Sequence, residues 1–277
     1  FGSVLSGVYP AFVLSSFQPV AVLKGKFRSS SQGQLFRKGL VVFQFAATLV
    51  LMVAMCTVYL QITHMQNHNL GMSIDQILVV RAPEIESDSI YQIRSRTLKE
   101  QLLTGSSVQI VTLSDAIPGS SINTLSTTGN VLRAGQEKIE KGYIYYVNAF
   151  DKDFIPAFGM ELAAGQNFSQ ESREKQHVII NEEARQRLGF ASAEEAIGST
   201  LLFYNMENTI VGVLKNFHQR SPKEAHLPMV FYYGLQPEYF SIRIKTGNVS
   251  QTIENIKATW SNVFPDSPFD YFFLVEK

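Results

Sequence analysis

The chain has 277 residues, 45% of them hydrophobic, and its 24 Lys and Arg balance 24 Asp and Glu to a formal charge of zero. That balance excludes a basic nucleic-acid-binding footprint, and the composition excludes a disordered polar chain. A single cysteine, Cys56, excludes a disulfide framework and a thiolate metal cluster.

Residues 1–17 are apolar and uncharged and carry Tyr9-Pro10. They read as the end of a preceding transmembrane helix. They lack a basic leading region, so a signal peptide is not the reading. Residues 18–38 form a basic connector, with Ser29, Ser30, Ser31 and Gly33 as its flexible part.

Gly39 to Ile62 has 24 residues and no charge. As a helix it would extend about 36 Å, enough for a hydrocarbon core of about 30 Å. Twelve of its residues are Leu, Ile, Val or Phe, favouring insertion by about 5 kcal/mol. Thr48 and Thr57 can bond back to their own helix. Residues 39–62 are therefore expected to span a membrane. Residues 1–74 contain Lys24, Lys26, Arg28, Arg37 and Lys38 and no acid, leaving 19 cations against 24 acids in residues 75–277. The cations precede the span, which puts the connector in the cytoplasm and the rest outside. At 100° per residue, Gly39, Ala46, Ala47, Val50, Ala54, Thr57 and Gln61 fall on one side, a small-residue face suited to packing against other helices.

Residues 63–71 read as a stalk ending at Gly71. His64 and His68 share a face there, but no third ligand accompanies them, so a polar face outweighs a metal site. Beyond the stalk, residues 72–277 are expected to form an α+β domain of two lobes. Strands are predicted at Ile77–Val80, Val108–Leu113, Lys141–Asn148, Val178–Asn181, Met229–Tyr232, Phe240–Lys245 and Tyr271–Val275, with Leu201–Phe203 and Thr209–Leu214 as a pair. Helices are predicted at Ser89–Leu103, with Ile90, Ile93, Leu98 and Leu102 apolar, at Lys152–Phe158, at Glu182–Leu188, and at Ser250–Val263 with Ile253, Ile256 and Trp260 on one face. Residues 120–135 are left open between strand and loop.

No GxSxG, HExxH, P-loop or dinucleotide fingerprint is present. His177, His218 and His226 are isolated in sequence, and Glu182-Glu183 and Glu194-Glu195 suit helix starts. Asn167 and Asn248 begin glycosylation-type triplets. No catalytic, cofactor-binding or metal residue is assigned.

Several short motifs nonetheless occur in order. They are Gly7 to Ala11, Leu23-Lys24-Gly25, Arg37-Lys38-Gly39, Asn69-Leu70-Gly71, Ile117-Pro118-Gly119, Asp153-Phe154 through Phe158-Gly159-Met160, and Gly165 to Phe168. They continue with Val178 to Glu182, Ala196-Ile197-Gly198, Ile210 to Val213, Lys215 to His218, and Pro268 to Phe272. Over essentially its whole length the chain resembles the MacB/FtsX-type ABC-transporter permeases of Bacteroidetes-like bacteria. It departs from their pattern at Asn216 and at Val275-Glu276, which puts a local salt bridge in doubt.

The resemblance implies the second half of a multi-pass inner-membrane permease, with a MacB-like periplasmic core domain on a helical stalk. It implies a separate ATP-binding cassette subunit as partner, other transmembrane helices in a dimeric permease, and a periplasmic adaptor or substrate. It implies neither a bound cofactor nor nucleic acid. The permease would couple ATP hydrolysis by its partner to periplasmic conformational change. The competing expectations are a membrane-anchored sensor with a periplasmic ligand-binding domain and a membrane-anchored periplasmic enzyme.

Overall fold

The computed structural model describes residues 31–66, 72–73, 76–83, 88–135, 143–219, 225–234, 238–245 and 247–274. The expectations for residues 1–30, His68, Gly71 and Val275-Glu276 lie outside them. The chain divides into two units, residues 1–67 and 68–277.

The first unit contains one described element, α1 (Ser31–Gln66, 36 residues). It is longer at both ends than the 24 uncharged residues because polar helix formers such as Gln34, Arg37 and Gln66 extend it. Within it, Gln34–Thr63 is long and apolar enough to cross a membrane, and none of its most apolar window is buried. Thr48 and Thr57 donate to the Gln44 and Val53 carbonyls at 2.8 and 2.9 Å, and Thr63 donates to Tyr59 at 2.9 Å. These hydroxyls are thus satisfied without water, as hydrocarbon requires.

The second unit runs β1 (Ile77–Arg81), α2 (Asp88–Thr104), β2 (Val108–Ser114), a 3₁₀ turn at Ile122–Thr124, β3 (Ser126–Thr128), β4 (Val131–Arg133), β5 (Tyr145–Phe150) and α3 (Phe154–Ala157). It continues through β6 (Leu162–Gly165), β7 (His177–Asn181), α4 (Glu182–Arg187), α5 (Ala193–Ala196), β8 (Thr200–Phe203), β9 (Met206–Leu214), β10 (Met229–Tyr233), β11 (Tyr239–Ile244), α6 (Val249–Val263) and β12 (Tyr271–Phe273). It is a mixed α/β domain. The described strands join in the order β12-β1-β11-β2-β5-β10-β7-β9-β8-β4, with β3 on β5 and β6 on β9.

The first lobe consists of β1, α2, β2, β11, α6 and β12. Its strands lie in the order β12-β1-β11-β2, every neighbour antiparallel. This is a ferredoxin-like split βαβ arrangement into which residues 115–238 are inserted between β2 and β11. β1 shows why its sequence is an unbroken apolar run. Leu78 and Val80 join the cluster under α2 and α6, while Ile77 and Val79 join a second cluster on the opposite face. Both faces of the strand are covered, so period-two alternation disappears.

The face of α2 differs from the predicted one. Tyr91, Ser95, Leu98 and Leu102 are buried, whereas Ile90 and Ile93 are 49% and 67% exposed. The period selects Tyr91 because its ring meets Phe264, centroids 6.4 Å apart. On α6 the buried set is Thr252, Ile256, Trp260 and Val263, and Trp260 meets Phe240 edge-on at 5.7 Å.

The inserted lobe mixes parallel pairs (β5 with β10, β7 with β9) and antiparallel ones. The predicted pair Leu201–Phe203 and Thr209–Leu214 is the β8–β9 hairpin, closed by Tyr204 and Asn205 at φ 51° and 60°, a two-residue turn of the kind that matches strand twist. The open stretch 120–135 supplies the 3₁₀ turn and the short strands β3 and β4. An aromatic cluster underlies both lobes. Phe150 stacks on Phe154 at 4.4 Å and touches Phe231 and Phe168, and the same cluster includes Ile77 and Val79 of the first lobe.

Candidate functional site: the root and the joint of the outer domain

The described chain enters the second unit at Met72 and Ser73. Seven residues after α1, Ser73 donates its N–H to the Phe158 carbonyl at 2.7 Å. Its own carbonyl accepts from Arg243 Nη2 at 2.7 Å, while Arg243 Nε donates to the Ala157 carbonyl at 2.9 Å. One guanidinium fork on the central strand β11 thus ties the entering chain to the end of α3, a geometry lysine cannot reproduce. Gly159 closes α3 at φ +59°, and a Cβ there would sit 3.4 Å from the Ser73 Cβ. The left-handed turn that glycine permits is what brings the Phe158 carbonyl to Ser73.

The exit lies beside the entry. Leu274 N–H donates to the Ile77 carbonyl at 2.9 Å, and Ile244 N–H to the Gln76 carbonyl at 3.0 Å. The first and last described strands of the unit are therefore neighbours.

Where the second lobe leaves the first, β2 and β5 share one register pair, Ser114 with Phe150. On one side Asp151 N–H donates to the Leu113 carbonyl at 3.1 Å, and on the other Asp115 N–H donates to the Ala149 carbonyl at 2.9 Å. Asn148 copies a strand partner for Ala116, accepting from its N–H at 2.9 Å and donating to its carbonyl at 3.0 Å. Gln219 holds the next turn through the Ile117 carbonyl at 2.9 Å. At the return, a Cβ on Gly234 would meet the Ala149 Cβ at 2.5 Å, so glycine is what lets β10 end against β5.

An ion cluster ties α2 to the inserted lobe at this joint. Lys99 donates to Asp151 and, at 2.6 Å, to Asp153 Oδ2, and Thr112 Oγ1 donates to Asp151 Oδ1 at 2.6 Å. The Asp151 side chain is only 4% exposed and that of Lys99 18%. Burial works against the Lys99 ammonium, but Asp151 and Asp153 outweigh it and hold its pKa above the ordinary lysine value. A charge so buried is stable only while paired. Nearby, burial and the charge of Glu238 push the Asp115 carboxyl up to about 6, against hydrogen bonds from the Ala149 backbone N–H and the Tyr232 hydroxyl.

The residues singled out from sequence fall elsewhere. Gly39, Ala46, Val50, Ala54, Thr57 and Gln61 are exposed on α1 and Ala47 is half-buried. His218 and His226, isolated in sequence, come together with ring centroids 4.4 Å apart. His177 stands apart, and burial and Lys175 lower its pKa. Among the described residues no group of three metal-ligating side chains occurs. Glu182 and Glu194 open short helices as expected. Asn216, where the resemblance expects an acid, accepts from Glu183 N–H at 3.1 Å and donates its own N–H to Glu182 at 3.0 Å. An amide serves there in place of a salt bridge. The two glycosylation-type asparagines have structural roles: Asn167 donates to the Lys152 carbonyl at 2.7 Å and Asn248 caps α6.

Sequence reading missed Lys99, Asp115, Asn148, Asp151, Glu238 and Arg243, whose partners lie far along the chain. Some signal was present. Ile117 to Gly119, Asp153 to Met160 and Lys215 to His218, all motifs of the resemblance, converge around the joint.

Residues 46–258 match the family model described as the MacB-like periplasmic core domain. No curated protein sequence matches. Among solved structures, the periplasmic region of MacB from Actinobacillus actinomycetemcomitans is similar with TM-score 0.50 and 12% identity, covering 73% of this chain and 90% of that one. The extracellular domain of the noncanonic ABC-type transporter YknZ from Gram-positive bacteria aligns with TM-score 0.47 and 12% identity, over 72% of this chain and 99% of that one. The first of these likenesses supports the fold.

Proposed function

The chain belongs to the family of MacB-like periplasmic core domains, and from that membership we propose that it works as a permease subunit of an ABC transporter. Its role is to relay, into the outer domain, motion that a separate ATP-binding cassette subunit generates by hydrolysis. The chain itself does no chemistry on a substrate. α1 lies in the inner membrane with its basic flank in the cytoplasm, and packs through the Gly39, Ala46, Ala47, Val50, Ala54, Thr57 and Gln61 face against other helices of a multi-pass, dimeric permease. The domain from residue 72 onward faces the periplasm and meets a periplasmic adaptor or substrate there.

The observation that carries this reading is the root. Ser73, the second described residue after α1, is hydrogen-bonded through both its N–H and its carbonyl into the domain. A displacement arriving along the chain is delivered to α3 and β11 together, without a catalytic residue. Packed elements of this kind pass on small shifts as discrete rearrangements.

The test uses the full-length permease with its ATP-binding partner in lipid nanodiscs. Locking the partner with ATP and orthovanadate is expected to change amide hydrogen exchange at Ser73 and along β1. Thr63→Pro removes a helix hydrogen bond and kinks α1; it should abolish that change while leaving ATP binding by the partner intact. An exchange pattern identical with and without vanadate contradicts the relay.

A further inference from the structure

Within each lobe the strands are paired along their length, β2 with β11 from Val108 to Ser114 and β5 with β10 from Tyr146 to Phe150. Between the lobes, β2 and β5 share only the Ser114–Phe150 pair. The chain crosses at the end of β2 and again at the start of β11, and strand ends are where hinge residues sit. Beside this narrow seam, Lys99 of α2 reaches across. Its ammonium donates to Asp151 and, at 2.6 Å, to Asp153 Oδ2, while Thr112 Oγ1 of β2 donates to Asp151 Oδ1 at 2.6 Å. Two elements of the first lobe thus grip one carboxylate of the inserted lobe. We propose that Lys99 is a latch: its bonds to Asp151 and Asp153 fix the angle between the lobes, and when they open the inserted lobe turns about the Ser114–Phe150 seam.

The chemistry of the cluster suits a contact that opens. The apolar cluster shared by the lobes, Phe150 and Phe154 with Ile77 and Val79, draws them together, but apolar attraction has no preferred direction. An ion pair has one, and a buried ammonium stripped of its carboxylates is costly. Angles that leave Lys99 dry and unpaired are therefore disfavoured, and the joint is either latched or fully open. Lys99 is only partly buried, and its flexible stem lets the ammonium swing out to water. Each acid also keeps or gains a partner when Lys99 leaves. Asp151 Oδ1 retains Thr112 Oγ1 and the Asp153 N–H at 3.1 Å. Asp153 stands at the N-cap of α3, yet its side chain makes no cap bond. A carboxylate in that position ordinarily accepts from a first-turn N–H, a bond that becomes open to it once Lys99 lets go.

α3 joins the latch to the root. Asp153 precedes its first residue, and at its other end the Ala157 and Phe158 carbonyls hold Arg243 and Ser73. A pull on Ser73 therefore bears on the latch through one short helix. The latch belongs to the outer domain alone and stands or falls independently of the permease reading.

The test is a pulsed electron–electron distance measurement on the whole chain with Cys56→Ser, in detergent micelles. Nitroxides are attached at Glu254→Cys on α6 and Glu207→Cys on β9, both exposed positions. A second pair, Glu207→Cys with Gln186→Cys on α4, reports on the inserted lobe by itself. With Lys99 in place the distance between the lobes should be single and narrow. Lys99→Met combined with Asp151→Asn removes the latch without stranding its most buried charge. It should widen the inter-lobe distribution about twofold or split it, leaving the distance within the inserted lobe unchanged. Should the double variant lose the distance within the lobe, Asp153→Asn is read instead; it frees one arm, leaves Asp151 paired, and should widen the same distribution by a smaller factor. An inter-lobe distribution as narrow in the folded variant as with Lys99 in place overturns the latch, as does one already broad before any latch residue is changed.

Discussion

Two apolar stretches of this chain live in opposite surroundings. In α1, Leu51, Phe45 and Met55 are 70%, 73% and 76% exposed, whereas in β1 Leu78, Val79 and Val80 are fully buried. Both read as continuous hydrophobic runs. In β1 the cause is burial on two faces by protein. α1 is apolar all round and long enough to span a bilayer, as a segment covered by lipid is. Apolarity alone does not say whether a segment is core or span; length and the absence of amphipathic period do.

Truncation inside the domain should produce the largest effects. Leu78→Ala and Trp260→Ala should each cost about 2–5 kcal/mol in denaturant unfolding of the domain. Lys99→Met comes next, at about 3 kcal/mol, because Asp151 is left buried without its cation. Adding Asp151→Asn should recover much of that loss, and a double-mutant cycle checks the coupling.

The half-buried Asp115 carboxyl predicts a smaller effect with a definite sign. Burial and the Glu238 charge push the Asp115 carboxyl up to about 6 in the fold, from an ordinary value of 3.8. A carboxyl raised in this way adds stability that is fully present below about pH 4 and lost as pH rises through about 6. Asp115→Asn should therefore stabilise the domain at pH 7.5 by up to about 3 kcal/mol and flatten its pH profile between pH 4 and 7, read by thermal unfolding. Arg243→Lys should cost about 1–2 kcal/mol and loosen the Ser73 amide selectively, since lysine lacks the rigid planar fork that sets Nε on the Ala157 carbonyl and Nη2 on the Ser73 carbonyl. At the far end of the scale, Leu51→Ala should leave domain unfolding unchanged within about 0.5 kcal/mol. If it proves as costly as Leu78→Ala, the contrast between span and core fails.

The elements of the outer domain were largely legible because their signals are local. The Leu98 and Leu102 period, the hairpin ahead of Thr209 and the short apolar strands each declare themselves within a few residues. The face of α2 was misread at Ile90 and Ile93 because a tyrosine, Tyr91, took the inward position. The insertion of one lobe into the other could not be read, since β2 and β11 are paired across more than a hundred intervening residues. The joint was hidden for the same reason. Nothing around Lys99 announces Asp151, 52 residues away, and Arg243 reaches Ser73 across 170 residues. Family motifs such as Asp153-Phe154 marked the neighbourhood without revealing the contacts.

The account stands most directly on which side of the membrane the domain lies. In the full-length protein with Cys56→Ser, a cysteine placed at the exposed Tyr271 should react with a membrane-impermeant maleimide in intact cells whose outer membrane has been permeabilised. Labelling there is the predicted result. Labelling that appears only after the inner membrane is broken would place the domain in the cytoplasm and contradict the account.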